Sequence, residues 1–274
     1  MEGRPVPGKG AAMSVPVIAG RTRGAVLPRR ASPVIVTSDP FPLSPEREPT
    51  MSHSVRRHLR VEIADYDATI RRFIPGYETM LATAARAVAA VEPAHVVDIG
   101  AGTGGLSEAL LREAGVGLVE LLDIDPEMLA QARTRLDEHA DRTRFTLRSY
   151  AEPFPTCDAF AASLSLHHIP ELEKKEALFR RAHEALRPGG VLVNADVNMP
   201  ADGDERDALY RHWADHQVAR GIAEERAWAH FDEWAGEDTY LPLEDELAAL
   251  RGVGFQAERV WNDGPVGVVV ARKA

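Results

Sequence analysis

The sequence predicts an α/β fold, a doubly wound and mostly parallel seven-stranded sheet that ends in an antiparallel hairpin. Three observations predict it. From about residue 76 to residue 200, short apolar runs alternate with amphipathic helical stretches, as parallel strands joined by helical crossovers require. The first apolar run leads directly into "VVDIGAGTGG", residues 96–105, which crowds four glycines into a strand-to-helix turn. At the far end, "FQAERVW" and "VGVVVAR" are separated only by "NDGP", so they pair as a hairpin with no helix between them.

Taken in order, the first fifty residues hold nine of the 19 prolines, with seven Lys or Arg against four Asp or Glu. They show no sustained period and are expected to be a disordered extension ahead of one domain over 51–274. They lack a secretory h-region, their composition admits an organelle transit peptide, and Met51 offers an alternative start. Helices are predicted over 55–74 and 76–91, broken at "IPGY" by Pro75 and Gly76. A strand over 95–99 is followed by a helix over 104–113. "LVELLDID", 118–125, is a second strand, with Asp125 as N-cap and Pro126 in the first turn of a helix reaching 139. "RFTLRS" and "CDAFAASLSL" are the third and fourth strands. "ELEKKEALFRRAHEAL" is an amphipathic helix stopped by Pro188, Gly189 and Gly190, and "VLVNADV" is the fifth strand.

Composition narrows the function. The 274 residues are 45% apolar, enough for one sizeable core. A net charge of −10 disfavours polyanion binding. Cys157 is the only cysteine, so no intrachain disulfide forms and a reducing, cytoplasmic setting is expected. No run reaches the 18 or so apolar residues of a membrane span.

Gly100, Gly102 and Gly105 fit the G-x-G-x-x-G template, and Asp123 stands near the separation expected of an acid gripping ribose hydroxyls. Glycine lets backbone approach any adenosine cofactor, so the loop alone leaves the ligand open. Asp98 and Asp123 stand out because a carboxylate ending a buried strand is costly without a partner.

The ordered series "VVDIGAGTG", "LLDIDPEML", "CDAFAASLSLHHI" and "LRPGGVLV", spread over about 90–200, closely resembles the motifs of class I S-adenosylmethionine-dependent methyltransferases. "DYDATIRRFIPGYETM" and the terminal hairpin look most like the branch containing carboxy-S-adenosylmethionine synthases of tRNA modification and many small-molecule methyltransferases. The resemblance implies a Rossmann-like fold and S-adenosyl-L-methionine as cofactor. It implies that Asp98 faces the ligand's ammonium group and that the backbone of Gly100, Ala101 and Gly102 faces its carboxylate. Asp123 would hold both ribose hydroxyls, and Ile124 and Met128 would line the adenine. Where the family carries an acid after the third strand, this sequence has Tyr150, which could stack on the purine instead.

The implied chemistry needs a nucleophile aligned with the S–CH3 bond at about 3 Å, and sometimes a base. His167 and His168 follow the fourth strand, where ligands sit in open α/β sheets, and are the candidate catalytic residues. Their adjacency predicts rings that point apart, one packed under the cofactor and the other solvated. Residues 200–250, with 14 Asp or Glu against four Arg, form the expected lid, whose acidity favours a small-molecule acceptor over nucleic acid. No metal site is expected: His212 and His216 are four apart but lack the zinc-protease glutamate. Tyr66 and Tyr77 are candidates to close over the methionine end, or simply to pack. A carboxy-S-adenosylmethionine synthase or tRNA-modifying activity would need a cation near the methyl site, for which Arg211 or His212 is nearest. An NAD-dependent oxidoreductase and a non-enzymatic adenosine-binding module remain as alternatives from other classes.

Overall fold

The computed structural model describes residues 66–274. The expected extension over 1–50 and the 55–65 part of the first predicted helix lie outside the described residues. The elements are α1 Tyr66–Phe73, α2 Tyr77–Ala89, β1 His95–Ile99, α3 Gly105–Arg112, β2 Leu118–Asp123 and α4 Pro126–Arg135. Then follow β3 Thr143–Leu147, β4 Cys157–Ser163, α5 Leu172–Ala185, β5 Leu186–Val197, α6 Gly203–Ala219, α7 Glu224–Trp234, α8 Leu243–Gly252, β6 Gln256–Asp263 and β7 Val266–Arg272.

The sheet order is β3-β2-β1-β4-β5-β7-β6. Strands β1 to β5 are parallel, while β7 runs antiparallel to both β5 and β6. This is the predicted architecture, and the terminal hairpin separates it from the six-parallel-strand dinucleotide fold. Helices cover both faces. Val96, Val119, Leu121, Ala161 and Val193 pack under α2 and α3, while their neighbours Val97, Leu122, Phe160 and Leu192 pack under α5 and α8. Alternate residues of buried strands thus feed two cores.

Several boundaries differ from the sequence reading. The second strand stops at Asp123 because the Asp125 carboxylate caps α4, accepting from the amides of Glu127 at 2.9 Å and Met128 at 3.4 Å. That helix ends at Arg135, and a 3₁₀ turn, Asp137–Arg142, replaces its predicted last turn. The fourth strand ends at Ser163, where Leu164 turns to φ +50°. Strand β5 begins five residues early: Leu186 already pairs with Cys157 across a bulge. Within the expected lid, α6 and α7 join the α1 side, Trp213 donating its indole N–H to the Phe73 carbonyl at 2.5 Å. Helix α8 instead places Leu247 and Leu250 in the α5 core, as part of the sheet's cover. Among the described residues no helix is long and apolar enough to cross a membrane.

Candidate functional site

The strand order reverses between β1 and β4, and the crevice outside their carboxyl ends is where such sheets hold ligands. A cleft of about 780 Å³ opens there. Strand β1 leads into it through Gly100 and Gly102, at φ +66° and +54°, values that L-residues with side chains rarely adopt. A Cβ at Gly100 would lie 2.7 Å from the Ser165 Cβ, whereas one at Gly102 would meet nothing within 4 Å. The first glycine permits close packing of the β4 exit, whose Ser165 hydroxyl donates to the Ile99 carbonyl at 2.9 Å. The second faces open space.

Asp98, at the end of β1, is 1% exposed. Its Oδ2 accepts from the Ser107 hydroxyl at 2.6 Å, while its Oδ1 is buried with no hydrogen-bond partner. Burial pushes the carboxyl up to about 7, only partly opposed by Ser107, with Asp123 adding to the rise. Asp123, at the tip of β2, accepts the amides of Gly102 at 2.7 Å and Asp125 at 2.8 Å. Burial raises its pKa too, and these backbone donors oppose the rise. Both acids line the cleft, as do Gly100, Ala101, Gly102, Ile124, Met128 and Tyr150. Ile124 keeps an apolar side chain 40% exposed at the cleft.

The bend is also tied to its neighbouring strand. The amides of Gly100 and Ala101 donate to the Leu122 carbonyl at 2.8 and 3.1 Å, and that of Gly102 donates to Asp123. The bend ties itself to β2 through these three N–H groups, and all three residues line the cleft. The nearby cation is Arg135, which contacts the Thr103 hydroxyl at 3.5 Å and pairs with Asp67. Asp67 in turn accepts from Thr103 at 2.9 Å, clasping α1 to the bend beside Tyr66 and Tyr77, which both line the cleft.

The histidines also depart from expectation. Their rings do not point apart but lie 4.1 Å from each other, and both face Asp238, from the stretch after α7. His168 lines the cleft; His167 does not, lining instead a small adjoining cavity of about 60 Å³. His167 sits with Nδ1 2.6 Å from Asp196 Oδ1, and Asp196 Oδ2 accepts the amides of Leu166 and His167 at 3.1 Å. Burial disfavours its charge, yet Asp196 and Asp238 outweigh that and raise its pKa. The acid-bearing lid segment meets both rings; His167 is buried, while His168 keeps 17% of its side chain exposed at the cleft.

Arg211 and His212, the lid cations nearest to hand for a carboxy-S-adenosylmethionine synthase activity, do not line the cleft. Arg211 lies over the Trp228 ring at 5.9 Å, and His212 pairs with Asp263 at 2.9 Å. The cations that do line the cleft, Arg148, Lys174 and Arg181, stand on its Tyr150 side, Arg181 donating to the Tyr150 carbonyl at 2.9 Å. The sequence reading missed Asp196, Asp238 and Arg135. The strand-end signal that marked Asp98 and Asp123 applies equally to Asp196 in "VLVNADV"; the other two carry no local signal.

Residues 96–190 match the family model described as a methyltransferase domain. The carboxy-S-adenosyl-L-methionine synthase of Psychrobacter sp. (strain PRwf-1) is 30% identical over 225 residues, covering 73% of this chain and 79% of that protein. This chain belongs to the class I S-adenosyl-L-methionine-dependent methyltransferase family. A trans-aconitate 2-methyltransferase of Variovorax paradoxus (strain S110) is 33% identical over 141 residues, and the chain spans about half of its length, 48%. Among solved structures, the "DhpI-SAH complex structure" overlays with a TM-score of 0.54 at 20% identity, covering 80% of this chain and 94% of that one; it supports the fold.

S-adenosyl-L-methionine is the cosubstrate of class I methyltransferases, and the residues present fit it. A buried carboxylate oxygen without a partner, Asp98 Oδ1, suits an ammonium group. Asp123 keeps lone pairs beyond its two backbone contacts for hydroxyls, since a carboxylate offers about four acceptor sites. Exposed Ile124 offers an apolar wall.

Proposed function

We propose that this protein is a methyltransferase that binds S-adenosyl-L-methionine in the 780 Å³ cleft and acts on a small-molecule acceptor by in-line transfer. The observation that carries the reading is the convergence, in one cleft, of Asp98, with its partnerless buried oxygen, and Asp123 on either side of the glycine bend. When bound, the cosubstrate supplies a methyl group on a sulfonium, a good electrophile without further activation.

The chain's own residues then have separate tasks. Asp98 holds the ammonium end and Asp123 the ribose, both fixed on strand tips. Ile124, Met128 and Tyr150 enclose the base. The Asp67–Arg135 clasp holds α1 over the bend, so that Tyr66 and Tyr77 exclude water from the methionine end. His168 is the imidazole that lines the cleft and the better-placed candidate base; His167 lines only the adjoining cavity, with its Nδ1 engaged by Asp196. The acidic lid supports a small-molecule acceptor over nucleic acid, with 14 Asp or Glu against four Arg in 200–250.

Similarity to the carboxy-S-adenosyl-L-methionine synthase keeps carboxylate transfer as a second reading. The absence of Arg211 and His212 from the cleft lining favours methyl transfer. Incubation with isotopically methyl-labelled cosubstrate and a small-metabolite extract tests the proposal. Label passing to a low-molecular-weight product is expected, while a mass gain on the cosubstrate itself would favour the second reading.

A further inference from the structure

Three side chains around the small cavity bring two imidazoles and one carboxylate together beside the main cleft. His167 follows β4 on a one-turn 3₁₀ segment, Leu166–His168, and His168 is its neighbour; Asp238 arrives from the end of α7. Asp238 Oδ1 lies 3.1 Å from His168 Nδ1 and 3.6 Å from His167 Nε2, and all three atoms fall within 4.8 Å of one another. For a tetrahedral ion with bonds of about 2.0–2.1 Å, ligand atoms stand about 3.4 Å apart. The two Asp238–histidine spacings bracket that value, and the third lies within 4.8 Å.

The surroundings fit the same donor set. His167 directs Nδ1 at Asp196 Oδ1, 2.6 Å away, so in the neutral ring that donates there Nε2 presents its lone pair on the Asp238 side. A carboxylate on the far nitrogen of an imidazole is the usual second layer of a metal site, fixing tautomer and ring orientation. Asp238 is held likewise: Tyr240 donates its hydroxyl to Oδ2 at 2.6 Å, and the Thr239 amide donates to the His167 carbonyl at 2.9 Å. The lid segment is therefore pinned at the histidine turn. Two buried carboxylates, Asp196 and Asp238, would be balanced by a dication. Among the described residues, the two carboxylates, both imidazoles, the Tyr66, Tyr210 and Tyr240 phenols and the more distant Lys175 are the ionisable groups around this point.

We propose that His167, His168 and Asp238 form a binding site for one divalent transition-metal ion of the zinc class, with Asp196 orienting His167 behind it. Two imidazoles and one carboxylate select such ions over magnesium or calcium. Three protein ligands leave at least one position, and all three side chains line the cavity that shares Tyr66, Leu164 and His168 with the main cleft. That position suits an oxygen of the acceptor, a clause that rests on the methyl-transfer reading; the ion site itself does not.

The test uses the full chain, free of any purification tag, stripped by chelator and titrated calorimetrically with zinc chloride, and separately with cobalt(II) chloride followed by visible absorption. One equivalent of zinc and the intense d–d bands of tetrahedral cobalt are expected. Asp238→Asn should lose at least tenfold in zinc affinity, with S-adenosylhomocysteine affinity unchanged within twofold. His212→Ala, away from the site, should leave zinc affinity unchanged. Absence of stoichiometric zinc binding by the unmutated chain, or binding that survives Asp238→Asn and is lost in His212→Ala, overturns the proposal. Either outcome is separable from failure of the cosubstrate reading, because S-adenosylhomocysteine binding is read in the same samples.

Discussion

The Asp123 carboxylate accepts the Gly102 amide at 2.7 Å, so the acid at the tip of β2 and the bend after β1 form one unit. The second oxygen of Asp123 accepts the Asp125 amide at 2.8 Å and thereby ties that unit to the start of α4. Two strand ends and a helix start are set by one side chain before any ligand arrives. Ligand hydroxyls need only its remaining lone pairs.

Asp123→Asn would put an amide NH2 against one of these two backbone donors. S-adenosylhomocysteine affinity is expected to fall about tenfold to a hundredfold, as loss of hydrogen bonds to a charged group implies. Isothermal titration measures it. A change below twofold would remove Asp123 from the ribose contact.

The two glycines of the bend should respond differently. Gly100→Ala meets both a positive φ and the Ser165 Cβ at 2.7 Å, whereas Gly102→Ala meets only the positive φ. The second should cost about 1–2 kcal/mol in urea unfolding, the ordinary left-handed penalty. The first should cost more, because packed backbone must move. Equal costs would mean that the β4 exit yields freely.

The proposed pairing of Asp98 with the ammonium group predicts pH-dependent cosubstrate binding. Its carboxyl is pushed up to about 7, and only the ionised form pairs with an ammonium group. Affinity should therefore fall about tenfold per pH unit below 7 and level off above it. In the ligand-free protein the sign is opposite: a raised folded pKa gives stability that is full below the unfolded value and lost as pH rises through about 7. Asp98→Asn should flatten both profiles. A pH-independent affinity between 5.5 and 8, read by titration on the order of every half unit, would contradict the assignment.

Lys175 is buried on α5, with its ammonium 4.0 Å from Glu246 Oε2, and Glu246 also accepts from Asn194 and Asn198. Lys175→Met leaves that carboxylate without its cation. Urea unfolding should register a loss of about 3–5 kcal/mol, the cost of breaking a buried pair from one side. The double variant with Glu246→Gln should recover part of it, and a single-variant loss below about 1 kcal/mol would show the pair to be solvated.

Much of this was legible in the residues, and the reasons differ by element. Strands β1, β2 and β7 could be read because each faces two cores and is apolar on both sides, and the hairpin because "NDGP" leaves no room for a helix. Asp98 and Asp123 stood out as carboxylates on buried strand ends. The start of β5 was hidden because "RPGG" carries turn residues whose backbone still pairs. The engaged amides of Gly100 and Ala101 depend on the distant Leu122 carbonyl. The meeting of His167 and His168 with Asp238 depends on how the lid folds back, which no local pattern in an acidic stretch encodes.

The most direct test of the central claim is calorimetric titration of the unmutated chain with S-adenosylhomocysteine and, in parallel, with NADH. The account predicts one saturable site for S-adenosylhomocysteine and none for NADH. Saturable NADH binding with no heat from S-adenosylhomocysteine would contradict it.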